Sequence, residues 1–300
     1  MRALVISGGG SKGAYAGGVA EYLIKERGIH YDMFTGSSTG ALLAPLLAAG
    51  EIDHAREVYT NVTQKDIFSA HPFIIKKKDG IYKSRINHFG VIKMFMKGKK
   101  TFGESFALRD LIKRTFTEDH YNRIRKAGTR VVIAVSNFSC NVVEHKYLRD
   151  CTYNEFAEWI WISANFVPFM SLVIKDGQEY ADGGFGSFIP IQEAIDAGAT
   201  EMDVIILTPR NKVIKKIPSR NAFSLLMSSL DFMLSQIARD EKYIGLLESL
   251  HHKIKIRYFH TPRVLTDNSL CFDPEQMKHW WEEGKAFARK RFENRIGVSF

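Results

Sequence analysis

The sequence predicts an α/β sandwich with a mostly parallel sheet. Two observations carry this. Strand-like and helix-like segments alternate along the chain, as they must where parallel strands are joined by crossover helices. Two glycine-rich stretches, moreover, each stand between a short apolar strand and an apolar helix, the pattern of a tight turn from strand to helix.

The elements follow in order. Residues 3–7 read as a strand, then comes a glycine cluster, then a helix over 14–27 closed by Gly28. Residues 31–35 read as a second strand, and the alanine- and leucine-rich run 41–49 as a helix stopped by Gly50. Pro45 inside that run removes one backbone donor and is expected to kink it. A long irregular insertion follows. Residues 129–135 and 201–208 read as buried strands, and 141–148 and 171–179 as exposed ones. Residues 222–250 carry apolar side chains at helical spacing, including Phe223, Leu226, Leu230 and Leu234. That face suits core packing and can also shape an acyl pocket. A strand over 254–259 and a surface helix over 274–291, anchored by Trp280 and Trp281, complete the chain.

Three motifs carry chemistry. Ser38 sits in Gly36-Ser37-Ser38-Thr39-Gly40 between the second strand and its helix. Small residues on both sides let the backbone turn sharply and project the hydroxyl into a cleft, as a nucleophile elbow requires. Gly8-Gly9-Gly10-Ser11-Lys12-Gly13 precedes the first helix. Its unshielded N–H groups can hold an anion. A P-loop does not fit, because Gly13 is followed by Ala14 and Tyr15. Another anion such a loop can hold is the oxyanion of an acyl-transfer intermediate. The third motif, Asp182-Gly183-Gly184, would by itself be an ordinary turn.

Taken together and in this order, the three motifs resemble the patatin-like phospholipase family. A small-residue stretch ending in proline (Ile162 to Pro168) and Pro190 after the aspartate extend the likeness over roughly residues 2–207. The resemblance implies a three-layer sandwich and a Ser–Asp dyad without histidine. Ser38 would be the nucleophile and Asp182 the base, with Gly9, Gly10 and Thr39 N–H groups forming the oxyanion hole. Gly8, Lys12, Gly13, Gly36, Gly40, Gly183 and Gly184 would support the motifs, Lys12 by closing its loop. The reaction implied is calcium-independent hydrolysis of membrane-derived lipid esters, of phospholipase A or lysophospholipase type, with no cofactor and no metal.

Two other classes compete. An α/β-hydrolase triad would take its histidine from His251, His252, His260 or His279, but Ser38 comes after only two strands, early for that fold. A non-catalytic basic protein that binds lipid or nucleic acid would leave all three motifs unexplained.

The chain of 300 residues, 45% hydrophobic, can bury a substantial core. It is expected to form one hydrolase domain over 1–300, with a lid-like insertion at about 60–126 and a C-terminal helical extension at about 262–300. Three scattered cysteines, Cys140, Cys151 and Cys271, suit a reducing compartment. No signal-peptide pattern and no apolar run of membrane-spanning length stand out, so a cytoplasmic protein is expected. Formal net charge is +9, and residues 65–100 alone hold ten basic against two acidic residues, interleaved with apolar ones. Lys76, Lys77, Lys78, Lys93, Lys97, Lys99 and Lys100 are thereby expected to meet an anionic membrane surface peripherally. No nucleic acid is expected, since no nucleic-acid-binding motif accompanies the basic patch.

Overall fold

The computed structural model describes residues 1–78, 81–210 and 222–293, and of residues 76–78 and 81–84 the backbone alone. The first strand, β1 (Arg2–Ile6), leads through the glycine turn into α1 (Gly13–Glu21), which widens into a π-helical turn over Tyr22–Glu26. Next come β2 (Met33–Gly36) and α2 (Thr39–Ala48), which continues past Pro45. The insertion is more regular than its sequence suggests. It holds α3 (Ile52–Asn61), α4 (Gln64–Ile67), the hairpin β3 (Phe73–Lys78) and β4 (Ile81–Ile86), then α5 (His88–Met96), α6 (Phe106–Thr115) and α7 (Glu118–Ala127). The helices form because each buries a narrow stripe, such as Leu108 and Ile112 on α6 and Tyr121 and Ile124 on α7.

The chain then returns to the main sheet as β5 (Arg130–Asn137) and β6 (Val142–Tyr147), followed by α8 (Tyr153–Ser163). Residues 171–179 are not one strand. Asp176 and Gly177, at φ 51° and 76°, make a two-residue turn that pairs β7 (Val173–Lys175) with β8 (Gln178–Asp182). Both central residues need positive φ in such a turn, which Asp-Gly provides. After α9 (Ile191–Asp196), β9 (Glu201–Pro209), α10 (Ala222–His252), β10 (Lys255–Thr261) and α11 (Pro274–Glu293) complete the fold.

The main sheet runs β10-β9-β1-β2-β5-β8-β7, with β6 also on β5. The first five are mutually parallel, and β6, β7 and β8 pair antiparallel. Alternate side chains enter opposite layers. Leu4, Ile6, Phe34 and Ile133 face one core with α1, α2 and α8, while Ala3, Val5, Met33 and Val132 face the other with Ile191 and Ala238.

Two features of this sheet position the site. First, β5 bonds to β2 over Arg130–Ile133 and to β8 over Val135–Asn137, with β6 along its other edge. The neighbour of β5 therefore changes at Ala134, and a crevice opens where β2 ends and β8 ends. Ser38, which follows β2, and Asp182, which ends β8, both line a cavity there. Second, α11 is no loose surface helix. Trp280 and Trp281 are fully buried, and a side chain at Gly17 would lie 2.1 Å from the Trp281 ring. Buried Glu21 accepts hydrogen bonds from Trp281 Nε1 and Lys285 Nζ, each at 2.5 Å.

Candidate active site

Ser38 stands between the end of β2 and the start of α2, with φ 55° and ψ −119°. Positive φ is costly for a residue with a Cβ and is typical of a nucleophile elbow. The turn is possible because Gly40 lies against β1: a Cβ there would sit 2.2 Å from Ile6 O. Gly36, across the turn, faces the Gly40 carbonyl at the same distance. The Ser38 N–H donates to Ser163 Oγ at 3.1 Å, and Ser163 Oγ donates to Ala134 O at 2.7 Å. Ser163 thus pins the elbow to β5 at Ala134. Its sequence stretch stands out as a patch of small residues, but no local signal gives it this task.

Asp182 ends β8 opposite Val135 and is only 2% exposed. Its N–H donates to Asn165 O at 2.9 Å, and its Oδ1 accepts from Gly184 N–H at 2.8 Å. Gly183 lies against Ala134 O, where a Cβ would come within 2.1 Å. Burial pushes the Asp182 carboxyl up to about 7, with the adjoining Ser38 hydroxyl and the Gly184 N–H pulling the other way. Oδ2 nevertheless has no hydrogen-bond partner of normal length and angle among the described residues.

The glycine loop completes the triangle. Gly8 N–H donates to Phe188 O at 2.9 Å and Ser11 N–H to Ser269 O at 2.8 Å. Between these anchors, Gly10 adopts φ +56°, and a Cβ there would lie 2.2 Å from Ser269 O. The N–H groups of Gly9, Gly10 and Thr39 have no acceptor among the described residues, and all three residues line one cavity with Ser38 and Asp182. Lys12 Nζ donates to Leu207 O at 2.8 Å, tying the loop to β9. Gly13 lets α1 approach the elbow, with Thr39 Oγ1 2.0 Å from where its Cβ would be.

Residues 4–195 match the sequence model of the family described as Patatin-like phospholipase, and all three motifs lie inside that span. The chain belongs to the patatin-like phospholipase family. Membership places it among the lipid acyl hydrolases. No curated protein matches it in sequence. Among solved structures it is similar to VipD from Legionella pneumophila, at 15% identity and a TM-score of 0.51, over 98% of this chain and 67% of that one. That likeness concerns the fold.

In this patatin-like chain the cavity beyond Ser38 is apolar. Leu42 and Leu46 of α2, Val58 of α3, Leu111 and Ile112 of α6 and Ile160 of α8 form its walls. Its volume of about 140 Å³ is close to the roughly 150 Å³ of an apolar cavity that takes up benzene. The insertion therefore builds part of the cavity wall through α6. Leu234 of α10 also lines the cavity.

No histidine lines it among the described residues. His251, His252 and His279 are exposed. His260 is buried with Nδ1 3.2 Å from Thr208 O, and burial holds its imidazole down at about 4. The basic insertion divides. Lys93 and Lys97 are exposed and make no ion pair among the described residues. Lys99 pairs with Glu104 at 2.7 Å and Lys100 with Glu179 at 2.6 Å. The side chains of Lys76, Lys77 and Lys78 lie outside the described residues. Beside Lys93 and Lys97, Phe89 and Met96 stand 89% and 83% exposed, so that α5 presents apolar and basic side chains together.

Proposed function

We propose that the protein hydrolyses carboxylic esters of membrane-derived lipids by a Ser–Asp dyad, as a phospholipase A or lysophospholipase. One observation carries the reading: a strained Ser38 adjoins a buried carboxyl at the head of an apolar cavity, beside three uncommitted backbone N–H groups. Ser38 Oγ attacks the ester carbonyl as its proton passes to Asp182. The N–H groups of Gly9, Gly10 and Thr39 hold the oxyanion, each such donor contributing about 3 kcal/mol to the transition state. The tetrahedral species collapses, and the leaving alcohol takes the proton from Asp182. Water then attacks the acyl-enzyme, losing a proton to Asp182, and the acid leaves as Ser38 regains its hydrogen.

The acyl chain occupies the cavity between α2, α6 and α8. Residues 1–300 act as one catalytic unit in the cytoplasm, in keeping with three free cysteines. The insertion at about 60–126 brings the unit to an anionic bilayer through Lys93, Lys97 and the exposed side chains of α5, with Lys76, Lys77, Lys78, Lys99 and Lys100 adding positive charge. The C-terminal segment from about 262 extends the unit through α11, its last residues, 294–300, lying outside the described ones.

The test is a fluorophosphonate label together with a panel of defined phospholipids, lysophospholipids and glycerides, with Ser38→Ala as the blank. Labelling on the Ser38 peptide and hydrolysis absent from the blank are expected. A label that persists in Ser38→Ala would remove the assignment.

A further inference from the structure

Glu241 lies on α10, 46 residues beyond the last position of the family match, and its carboxylate is turned toward the loop that follows Asp182. Its Oε1 accepts from Ser187 Oγ at 2.9 Å and its Oε2 from Ile189 N–H at 2.6 Å. That loop touches every part of the site. Ser187 N–H donates to Gly183 O at 2.9 Å, next to Asp182. Phe188 O accepts the Gly8 N–H at 2.9 Å, at the foot of the oxyanion loop. Pro190 O accepts from Thr35 Oγ1 at 3.0 Å, on the strand that carries the elbow. The Phe188 ring lines the cavity and lies against Gly8 and Gly184.

We propose that Glu241 is a positioning residue for the reaction: by clamping Ser187 and Ile189 it fixes Phe188, and through Phe188 the Gly8–Gly10 loop whose N–H groups receive the oxyanion. It touches no reacting atom. Glu241 is half-buried, and desolvation pushes its carboxyl up to about 8 against the pull of the Ile189, Ser187 and Phe188 donors. A leucine of similar size would pack there without the desolvation cost. Mostly protonated at neutral pH, the carboxyl offers two oxygens at a fixed spacing, one accepting from the Ile189 N–H and one sharing a hydrogen bond with the Ser187 hydroxyl, which can accept as well as donate. Glutamine preserves this if its oxygen accepts from Ile189 and its amide donates to Ser187 Oγ.

The proposal rests on the reading of Ser38 as nucleophile, and the two fail separately. On a short soluble ester, Glu241→Ala is expected to lower kcat by about 10²-fold, because a misplacement near 1 Å costs about that much. KM should change far less than kcat, since Phe188 is one wall of a cavity built mainly by α2, α3, α6 and α8. The fluorophosphonate labelling rate should fall in parallel, and Glu241→Gln should recover most of both. A folded Glu241→Ala protein with wild-type kcat, a change confined to KM, or a Glu241→Gln variant as slow as Glu241→Ala overturns the clamp. If Glu241→Ala does not fold, Ser187→Ala carries the test. A kcat several-fold lower at unchanged KM supports the clamp, and an unchanged kcat overturns it. Absence of label on the wild-type protein would instead overturn the parent reading.

Discussion

Replacing Asp182 by asparagine should abolish turnover and, at alkaline pH, make the protein more stable. The carboxyl is 2% exposed and its folded value, about 7, stands well above the ordinary 3.8. A raised carboxyl value means that the folded state holds its proton more tightly than the unfolded chain. Below about pH 4 both states are protonated and folding carries no penalty. Between pH 4 and 7 the unfolded chain ionises first, so stability falls as pH rises, and above 7 the full penalty is present. At 1.36 kcal/mol for each unit, the difference amounts to about 4 kcal/mol. Asparagine keeps an oxygen for the Gly184 N–H and never ionises, so it escapes this penalty. Urea denaturation of both proteins at pH 4, 6 and 8 reads the difference directly. It should be small at pH 4 and approach several kcal/mol at pH 8, with the variant the more stable. In the wild type, kcat/KM on a soluble ester should rise with pH through about 7, because only the carboxylate accepts the Ser38 proton. A stability difference independent of pH, or an activity midpoint near 4, would refute the reasoning, since either would place Asp182 in contact with water.

The remaining predictions concern binding. Leu111→Trp fills the cavity wall contributed by α6; kcat/KM for a decanoyl ester relative to an acetyl ester should fall about tenfold, in line with roughly 1–3 kcal/mol per displaced methylene contact, and an unchanged ratio would move the acyl chain elsewhere. On α5, Phe89→Ser with Met96→Ser, or Lys93→Gln with Lys97→Gln, should weaken sedimentation with phosphatidylglycerol vesicles, each lysine contributing about 1 kcal/mol. Neither pair should alter hydrolysis of a soluble ester. Equal binding to neutral and anionic vesicles would remove the electrostatic part of that docking.

What the sequence discloses and what it conceals divide by distance along the chain. The elbow is legible because its causes are local: a strand, two crowded glycines and a helix within a dozen residues of Ser38. The glycine loop and Asp182-Gly183-Gly184 are legible as motifs. Even a local signal can be missed, as at Asp176-Gly177, where a turn divides what reads as a single strand into β7 and β8. The insertion reads as irregular because its helices are short and their apolar stripes narrow, while the cavity wall they form exists only once α6 meets α2 and α8. Ser163 supports Ser38 from 125 residues away and Glu241 reaches Ile189 from 52 residues away, separations at which periodicity says nothing. Trp280 and Trp281 read as anchors on a surface helix, yet Gly17 and Gly18 open a groove that takes Trp281 completely.

The same distance explains why the glycine loop is held open. A free peptide such as Gly8-Gly9-Gly10 would turn its N–H groups to water or to its own carbonyls. Here the chain beyond the family match takes up the outer contacts. Ser7 N–H donates to Ile205 O at 3.0 Å, Leu207 N–H to Ser7 Oγ at 3.0 Å, and Ser11 N–H to Ser269 O at 2.8 Å. Within the matched segment Phe188 O takes the Gly8 N–H, and Glu241 holds Phe188 from outside it. Gly8 and Ser11 are thereby fixed as two posts, and only Gly9 and Gly10 lie between them with N–H groups uncommitted. Leaving such donors unmatched costs about 1–3 kcal/mol each when they are buried, and these two are half-buried. The cost is borne by the sheet, which places β1 between β2 and β9. On the proposed mechanism it is recovered when an oxyanion forms, because the donors need no rearrangement to meet it. The motif at the start of the chain thus supplies the donors, and the strands and loops at its end keep them available.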